Sequence, residues 1–145
     1  MSVREDIASN IASVIDAISS PDVKKVSRQP FPLDELSQQQ YPAVLIQTVE
    51  ETKDDQELGS GAKTRMATLE FGVTGYVKTN DDNIDTSRNA LATAIETALE
   101  SDITRSGNAL DTEVISIETD AGTLFPYGAV LLTVRVMYEH QSGTP

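Results

Sequence analysis

A glycine-bearing segment in the middle of the chain contains several residues of a phosphate-binding loop. It reads Gly59-Ser60-Gly61-Ala62-Lys63-Thr64. Such a loop needs a glycine directly before the lysine and a helix after the motif, because its backbone N–H groups must surround the phosphates. Ala62 stands at the glycine position here, and a strand-like pattern follows. We therefore interpret the segment as a flexible hairpin tip.

A second group of residues has the spacing of calcium ligands. Asp81, Asn83 and Asp85 match three positions of a calcium-binding loop, where oxygen atoms would coordinate the ion. The same motif requires a glycine where Thr86 stands and a closing glutamate where Ala92 stands. Capping of a following helix explains these residues better.

The remaining candidates for catalysis are acidic pairs and a single histidine. The pairs Glu50-Glu51 and Asp54-Asp55 lie in or beside a long polar loop, whereas paired-carboxylate catalysis needs rigid placement. His140 lies in a tail, 140–145, that we expect to be flexible, and the chain has no cysteine to share a metal with it. The sequence predicts no catalytic residue, no cofactor and no metal site.

Composition limits the possible partners of this chain. Its 145 residues suit one domain, predicted to span 1–145, and its formal net charge is −12. A chain this acidic is poorly suited to binding a phosphate backbone, which needs clustered lysine and arginine. Its apolar stretches are too short for a membrane span, and its N-terminus lacks the apolar core of a signal peptide. We expect a cytosolic origin.

Two helices are predicted from apolar residues at spacings of three, four and seven. The first follows Ser2, which can cap it, with Glu5 at the capping-box position. The second runs from Ile84 to about Glu100, after acidic residues that suit the positive end of a helix dipole. The apolar faces are Val3, Ile7, Ile11, Val14, Ile15 and Ile18 in the first helix, and Ile84, Leu91, Ile95, Ala98 and Leu99 in the second.

Alternating residues predict the strands. The segments 43–50 and 65–77 read as one extended hairpin around a long acidic loop, 51–64. A short polar strand at 22–29, one around 114–117 and a regular last strand at 130–139 complete the set. We also expect a helical turn within 34–40. The prediction is an α+β fold in the order α-β-β-β-α-β-β, with a mainly antiparallel four- to five-stranded sheet and two helices on one face.

This succession of segments resembles a known family. It comprises Val26-Ser27-Arg28-Gln29-Pro30, Leu33-Asp34-Glu35-Leu36, Tyr41-Pro42-Ala43-Val44-Leu45-Ile46, the strand from Ala67 to Val77, Val114-Ile115-Ser116-Ile117-Glu118-Thr119-Asp120, Pro126-Tyr127-Gly128-Ala129 and the last strand. In order and spacing, over nearly the whole chain, it is similar to the tail terminator, or tail completion, proteins of tailed bacteriophages, of the lambda minor tail protein U type.

The resemblance implies a structural protein of the virion, made in the host cytoplasm. Members of this family form a hexameric ring on the last ring of the tail tube, stop its polymerisation and present a surface to the head-side connector. The implied partners are other copies of the chain, the tail tube protein and the head-completion protein, while the genome passes through the lumen without specific binding. The family has no catalytic residues to carry over, and no membrane is implied.

Two hypotheses extend this implication to particular residues. We expect the hairpin 43–77 to act as an arm, with 51–64 disordered in the monomer and ordered on assembly, because ordering a polar segment needs many simultaneous contacts. Proposed interface residues are Lys24, Lys25, Arg28, Lys63 and Arg65. Proposed acids of the lumen wall, which would repel the genome, are Glu50, Glu51, Asp54, Asp55 and Glu57.

Three alternatives remain open at this stage. The chain could be another neck subunit of the same particle, such as a head-closure protein, which copy number and position would reveal. It could be a small acidic cytosolic adaptor or inhibitor that stays monomeric and binds a basic partner. An enzyme is the third alternative, although no site for one is visible in the sequence.

Overall fold

A five-stranded sheet with both helices on one face forms this protein, in a computed structural model that describes residues 2–32, 36–55, 64–78, 83–122, 126–141 and 143. In chain order the elements are α1 (Val3–Asp16), β1 (Lys25–Ser27), a short 3-10 helix (Gln38–Gln40), β2 (Ala43–Asp55), β3 (Thr64–Lys78), α2 (Ile84–Glu100), β4 (Asp111–Thr119) and β5 (Tyr127–Gln141). The sheet order is β1-β2-β3-β5-β4, in which only β1 and β2 are parallel. The predicted fold class and element order are confirmed.

Helix α1 begins at the predicted cap and buries the predicted stripe. The Ser2 hydroxyl accepts a hydrogen bond from the backbone N–H of Glu5 at 3.2 Å, which satisfies one of the free donors at the helix start. Ile7, Ile11 and Ile15 are buried beneath the helix. Burial of each such side chain contributes roughly 1.5–3 kcal/mol. The helix therefore owes its position to one apolar stripe.

The two longest strands bury every second residue, as their alternation predicted. Buried side chains on this face are Ala67, Leu69, Phe71, Val73 and Val77 from β3 and Val130, Leu132, Val134, Val136 and Tyr138 from β5. The strands pair without interruption from Thr64 with Gln141 to Lys78 with Tyr127. We call the side of the sheet that packs against α1 and α2 the helix face, and the opposite side the open face.

Helix α2 lies very close to the sheet because two glycines provide the space. A Cβ atom on Gly75 would stand 2.6 Å from Leu91 Cδ2, and one on Gly128 would stand 2.9 Å from Ile84 Cγ1. Any larger residue at either position would push the helix away from the sheet. The side chains that α2 buries include Leu91, Ile95 and Leu99, as predicted.

Two buried arginines, which periodicity did not predict, hold the ends of α2. Arg88 is 6% exposed, and its Nη1 lies 2.5 Å from Asp120 Oδ1 in the turn before β5. Arg105 is fully buried, and its Nη2 donates to the carbonyl oxygens of Leu99 and Asp102. The last turn of α2 contains no basic residue, so Arg105 is the cation that complements the negative end of the helix dipole.

The helical turn expected within 34–40 is confirmed as a 3-10 helix at Gln38–Gln40. Other predicted boundaries are wrong. The first strand covers only Lys25–Ser27 rather than 22–29. The hairpin strands extend through the predicted loop 51–64, since β2 continues to Asp55 and β3 starts at Thr64. Ladder pairing overrides the polar composition here, because Glu51–Asp55 are paired with 65–69. Residues 56–63 lie outside the described part.

The predicted flexible tail, 140–145, is also wrong at its start. His140 and Gln141 belong to β5 and pair with Arg65 and Thr64 of β3. His140 is only 8% exposed. The strand continues because β3 offers a pairing edge along its whole length, which the polar composition of the tail did not reveal.

Candidate assembly surfaces

A β-bulge in β2 decides which acidic side chains face which side of the sheet. The pairing of β2 with β3 shifts between Thr48 and Glu50, so that Val49 is an extra residue in the ladder. An extra residue reverses the alternation beyond it. As a result, Glu51 lies opposite buried Leu69 on the helix face, while Glu50 lies opposite Glu70 on the open face. We call the sheet beyond this bulge the distal half (50–55, 64–70 and 135–141).

On the helix face of the distal half, Glu51 is the centre of an ionic network. Arg4 of α1 binds it with two hydrogen bonds, Nε to Oε1 at 2.9 Å and Nη2 to Oε2 at 2.8 Å. The buried Tyr138 hydroxyl donates to Oε1 at 2.9 Å, and Lys53 Nζ lies 3.2 Å from Oε2. The Glu51 side chain is 13% exposed. The network therefore ties the start of α1 to the distal half.

These contacts favour the ionised form of Glu51 strongly. The hydrogen bonds from the Arg4 guanidinium, helped by those from Tyr138 and Lys53, lower the pKa of Glu51 to about 2. Burial, together with the adjacent carboxylate, raises the pKa of Tyr138 to about 12. The bond to Glu51 also raises the pKa of Arg4. At neutral pH, Glu51 is thus an ionised anchor whose charge is already compensated within the subunit.

His140 completes the network on the same face. Lys53 Nζ lies 2.8 Å from His140 Nε2, and His140 Nδ1 lies 2.7 Å from the carbonyl oxygen of Gln141. An ammonium group can only donate and a carbonyl can only accept, so a neutral imidazole with its proton on Nδ1 satisfies both contacts. The prediction that this histidine lies in a flexible tail is wrong.

The open face of the sheet carries an excess of acidic side chains instead. Glu50, Glu70, Arg135 and Glu113 pair successively across β2, β3, β5 and β4 in one row. Arg135 Nη2 lies 3.0 Å from Glu113 Oε1, and both side chains are nearly half exposed. This row contains three carboxylates and one cation. By register, the same face also carries Asp54, Asp111, Glu118 and Glu139.

Apolar side chains interrupt this acidic face where two strands are irregular. Val49 occupies the bulge in β2 and is 64% exposed, and Ile115 occupies an irregularity in β4 and is 44% exposed. Leu131 lies between them on β5 and is 36% exposed. The open face is therefore an acidic surface with a small apolar centre, which the sequence did not reveal because it depends on both irregularities.

The predicted interface cations do not form one cluster. Lys24 Nζ lies 2.5 Å from Asp22, and Arg28 is paired with Glu5 of α1. Lys25 Nζ lies 5.5 Å from the centre of the Phe31 ring. Arg65 is half-buried at the start of β3, at the other end of the sheet from β1. Lys63 lies outside the described residues.

The predicted lumen acids are likewise divided. Glu50 and Asp54 are exposed, whereas Glu51 is enclosed by its cations. Asp55 is the last residue of β2, opposite Arg65. Glu57 lies outside the described residues, as do Asp81 and most of the glycine-bearing segment.

Within the described chain, no group of three or more histidine, cysteine or acidic side chains could hold a metal ion. Neither described helix has the length and apolar composition that a membrane span requires.

Comparisons with known proteins identify the family. A model of the Bacteriophage Tail Tube Terminator Protein family matches residues 2–144. A solved structure, from the virion of a native gene transfer agent particle, has a TM-score of 0.53 and 15% identity, covering 96% of this chain and 92% of that one. No curated protein matches significantly. At this identity, the structural likeness establishes the fold alone.

Fold and family match together define a structural protein of a phage tail, located in the virion. Within this class, the chain belongs to the bacteriophage tail tube terminator family. The resemblance to tail terminator proteins seen in the sequence is therefore confirmed.

Proposed function

We propose that this protein forms a closed ring, of six copies, on the last ring of the tail tube. The ring stops polymerisation of the tube and joins it to the head-side connector. Membership of the tail tube terminator family is the observation that carries this proposal.

The open face of the sheet is the proposed wall of the lumen. Glu50 and Asp54 lie there together with Glu70 and Glu113, and Arg135 is the cation paired among them. An acidic wall repels the phosphate backbone and lets the genome pass without adhering. We also keep Asp55 and Glu57 in the proposed lumen wall, because they directly follow Glu50 and Asp54 in the sequence. Glu51 contributes less than its neighbours, because its charge is compensated within the subunit.

The predicted cations are proposed to contact neighbouring subunits at two separate places. Lys24, Lys25 and Arg28 lie at or beside β1, next to the start of β2, whereas Arg65 and the adjacent Lys63 belong to the far end of the hairpin. Two contact regions at opposite ends of the sheet suit a head-to-tail interface, in which each copy uses both.

The ring itself is tested by measuring mass and shape. Light scattering and negative-stain microscopy of the full chain, alone and with tail tubes, are expected to show a ring of six at tube ends. A chain that stays monomeric at all concentrations and leaves tube ends bare would contradict the proposal. A ring found at the head vertex instead would identify a head-closure subunit.

The lumen wall is tested by reversing charge on the open face. The double variant Glu50→Lys and Glu70→Lys is expected to form rings and cap tubes while reducing genome delivery by an order of magnitude or more, because the wall then attracts phosphate. The matched control, Asp16→Lys with Glu96→Lys on the helix side, changes the net charge equally. Equal loss of delivery in both variants would refute this placement.

A further inference from the structure

Strand β4 is an end strand of the sheet, and its outer edge is apolar and exposed. Six large apolar side chains are exposed in the described chain, and four of them lie on β4 or in the loop before it: Ile103, Leu110, Ile115 and Ile117. An end strand offers free backbone N–H and C=O groups to another strand, so proteins usually protect such edges with charge, proline or short length. An exposed apolar edge therefore indicates a contact surface.

The protein covers the first half of this edge itself. The backbone N–H of Val114 donates to Glu100 Oε2, at the end of α2, at a distance of 3.0 Å. Among the described residues, no side chain makes such a contact with 116–118, which follow the irregularity at Ile115. An N–H group that is already bonded does not accept a new strand. Strand addition is therefore favoured at 116–118.

The opposite end of the sheet has an end strand of matching length. Strand β1 spans only three residues and pairs with β2 on one side. Its first residue, Lys25, lies opposite Ala43, which in turn lies opposite Tyr76 on the open face. Because side chains alternate along a strand, Lys25 and Ser27 lie on the open face and Val26 on the helix face.

The directions of the strands determine how these two edges can meet. β1 is parallel to β2, and every further pair of neighbours in the sheet is antiparallel, so β4 runs opposite to β1. Rotation about a ring axis preserves the direction of a strand along that axis. The β4 edge of one copy therefore meets the β1 edge of the next copy as an antiparallel pair.

The faces of the β4 residues determine the register. Ile117 lies opposite buried Leu132 on the helix face, and its neighbours Ser116 and Glu118 lie on the open face. Directly opposed residues of an antiparallel pair share a face. Full overlap of 116–118 with β1 then gives one ionic, one apolar and one polar pair: Lys25 with Glu118, Val26 with Ile117, and Ser27 with Ser116.

We propose that 116–118 of one copy pair in this register with 25–27 of the next copy, so that ring closure joins the sheets of all copies into one. The inference deepens the proposed function, since it rests on a ring of copies and names the contact between them. Charge complementarity selects this contact over one between two β4 edges, which would bring acidic side chains together.

Both charged residues of the contact are available for it. Lys25 Nζ lies over the Phe31 ring, 5.5 Å from its centre, and Glu118 is exposed. Neither residue has an ion-pair partner among the described residues. The apolar pair is equally suited, because Val26 packs against the core while Ile117 is 45% exposed. Burial of Ile117 against Val26 removes apolar surface from water and favours the contact.

Disulfide trapping provides the first test, because the chain has no cysteine. The variant Ser27→Cys with Ser116→Cys places the two thiols on directly opposed residues, within the Cα separation of about 4.4–6.8 Å that a disulfide needs. Mild oxidation of assembled tails is expected to give covalent multimers up to the size of the ring. The control Ser27→Cys with Asp111→Cys should not crosslink, because its second cysteine lies on the same face but about 13 Å further along β4.

Mixing the single variants separates a head-to-tail contact from a symmetric one. Ser27→Cys mixed with Ser116→Cys is expected to give a covalent dimer and nothing larger, and neither variant alone should give a covalent product. A dimer of Ser116→Cys alone would show that β4 meets β4, and would overturn the proposal.

Exchange of the ionic pair provides the second test. Lys25→Glu is expected to raise the concentration at which half of the tube ends carry a ring by about tenfold or more, because acid then meets acid. Adding Glu118→Lys should restore that concentration to within about threefold. Lys25→Glu with Glu139→Lys has the same net charge and should stay weak. An unaffected Lys25→Glu variant, or equal recovery in both double variants, would overturn the pairing.

The inference and the proposed function fail in different ways. Rings that cap tubes without any crosslink between positions 27 and 116 would overturn the inference and leave the proposed function intact. Covalent multimers that form through this pair but never close on a tube end would support the strand contact and refute the proposed function.

Discussion

Glu50 and Glu51 are neighbours in the chain, yet the fold gives them opposite surroundings. Glu51 is held by Arg4, Lys53 and Tyr138 on the helix face, whereas Glu50 is exposed in a row of carboxylates on the open face. On the helix face, charged side chains pair with one another inside the subunit. On the open face, carboxylates such as Glu50 remain accessible to other molecules. Local sequence cannot separate such residues, because one extra residue in a strand determines the side on which each lies.

The largest expected difference between the two faces is in stability. The variant Glu51→Ala leaves Arg4, Lys53 and the buried Tyr138 hydroxyl without their shared acceptor, and we expect it to lower the free energy of unfolding by about 2–3 kcal/mol. The control Glu50→Ala should change it by less than about 0.5 kcal/mol. Urea unfolding of both variants measures the difference. Equal effects would show that the network adds nothing to the stability of the fold.

Acid should reveal the same contrast. The folded-state pKa of Glu51, about 2, lies below the ordinary value of 4.5, so its contribution to stability is fully present above about pH 4.5. That contribution is lost as the pH falls toward 2. The variant Glu51→Gln should therefore lose less stability than the wild type between pH 5 and 2, measured by thermal unfolding. Parallel losses would contradict the lowered pKa.

A smaller effect is expected where Lys53 meets His140. The variant Lys53→Met removes the donor to His140 Nε2 and one contact to Glu51, and should lower the free energy of unfolding by about 1 kcal/mol. Thr52→Met, on the open face of the same strand, is the matched control. If the control destabilises as much, the loss reflects strand propensity and not the network.

The smallest effect is expected in the row on the open face. Arg135 and Glu113 are both nearly half exposed, and exposed pairs contribute about 0–1 kcal/mol. The variant Arg135→Gln should change unfolding by less than about 0.5 kcal/mol, and raised salt should remove even that difference. A salt-independent loss above 1 kcal/mol would mean that this row is part of the folded core.

Much of the fold could be predicted because its largest elements follow simple periods. The isoleucines of α1 and the alternating residues of β3 and β5 indicate both the element and its buried side. The sides of Glu50 and Glu51 could not be predicted, since Val49 is an ordinary strand residue and nothing local marks it as a bulge. His140 was misplaced for a related reason. The position of His140 in the sheet depends on contacts with Lys53 and with β3, which are distant in sequence.

The apolar periodicity also failed to predict polar residues inside the protein, and the reason is physical. Arg88 occupies a core position of α2 because Asp120, in a turn that follows β4, supplies its counter-charge. A helical pattern read from apolar residues alone omits such a position. The same pattern could not reveal a groove that lies between α1 and α2, because a groove depends on the space left by α1, not on the residues of one helix.

The long pairing of β3 with β5 gives the subunit a direction of mechanical strength. Fifteen residues of each strand face one another, from Thr64 with Gln141 to Lys78 with Tyr127, and the bonds between them run across the strands. A pull along these strands in opposite directions loads all of those bonds together, so none can fail alone. A pull across the strands opens them one after another, and the protein yields far more readily to that force.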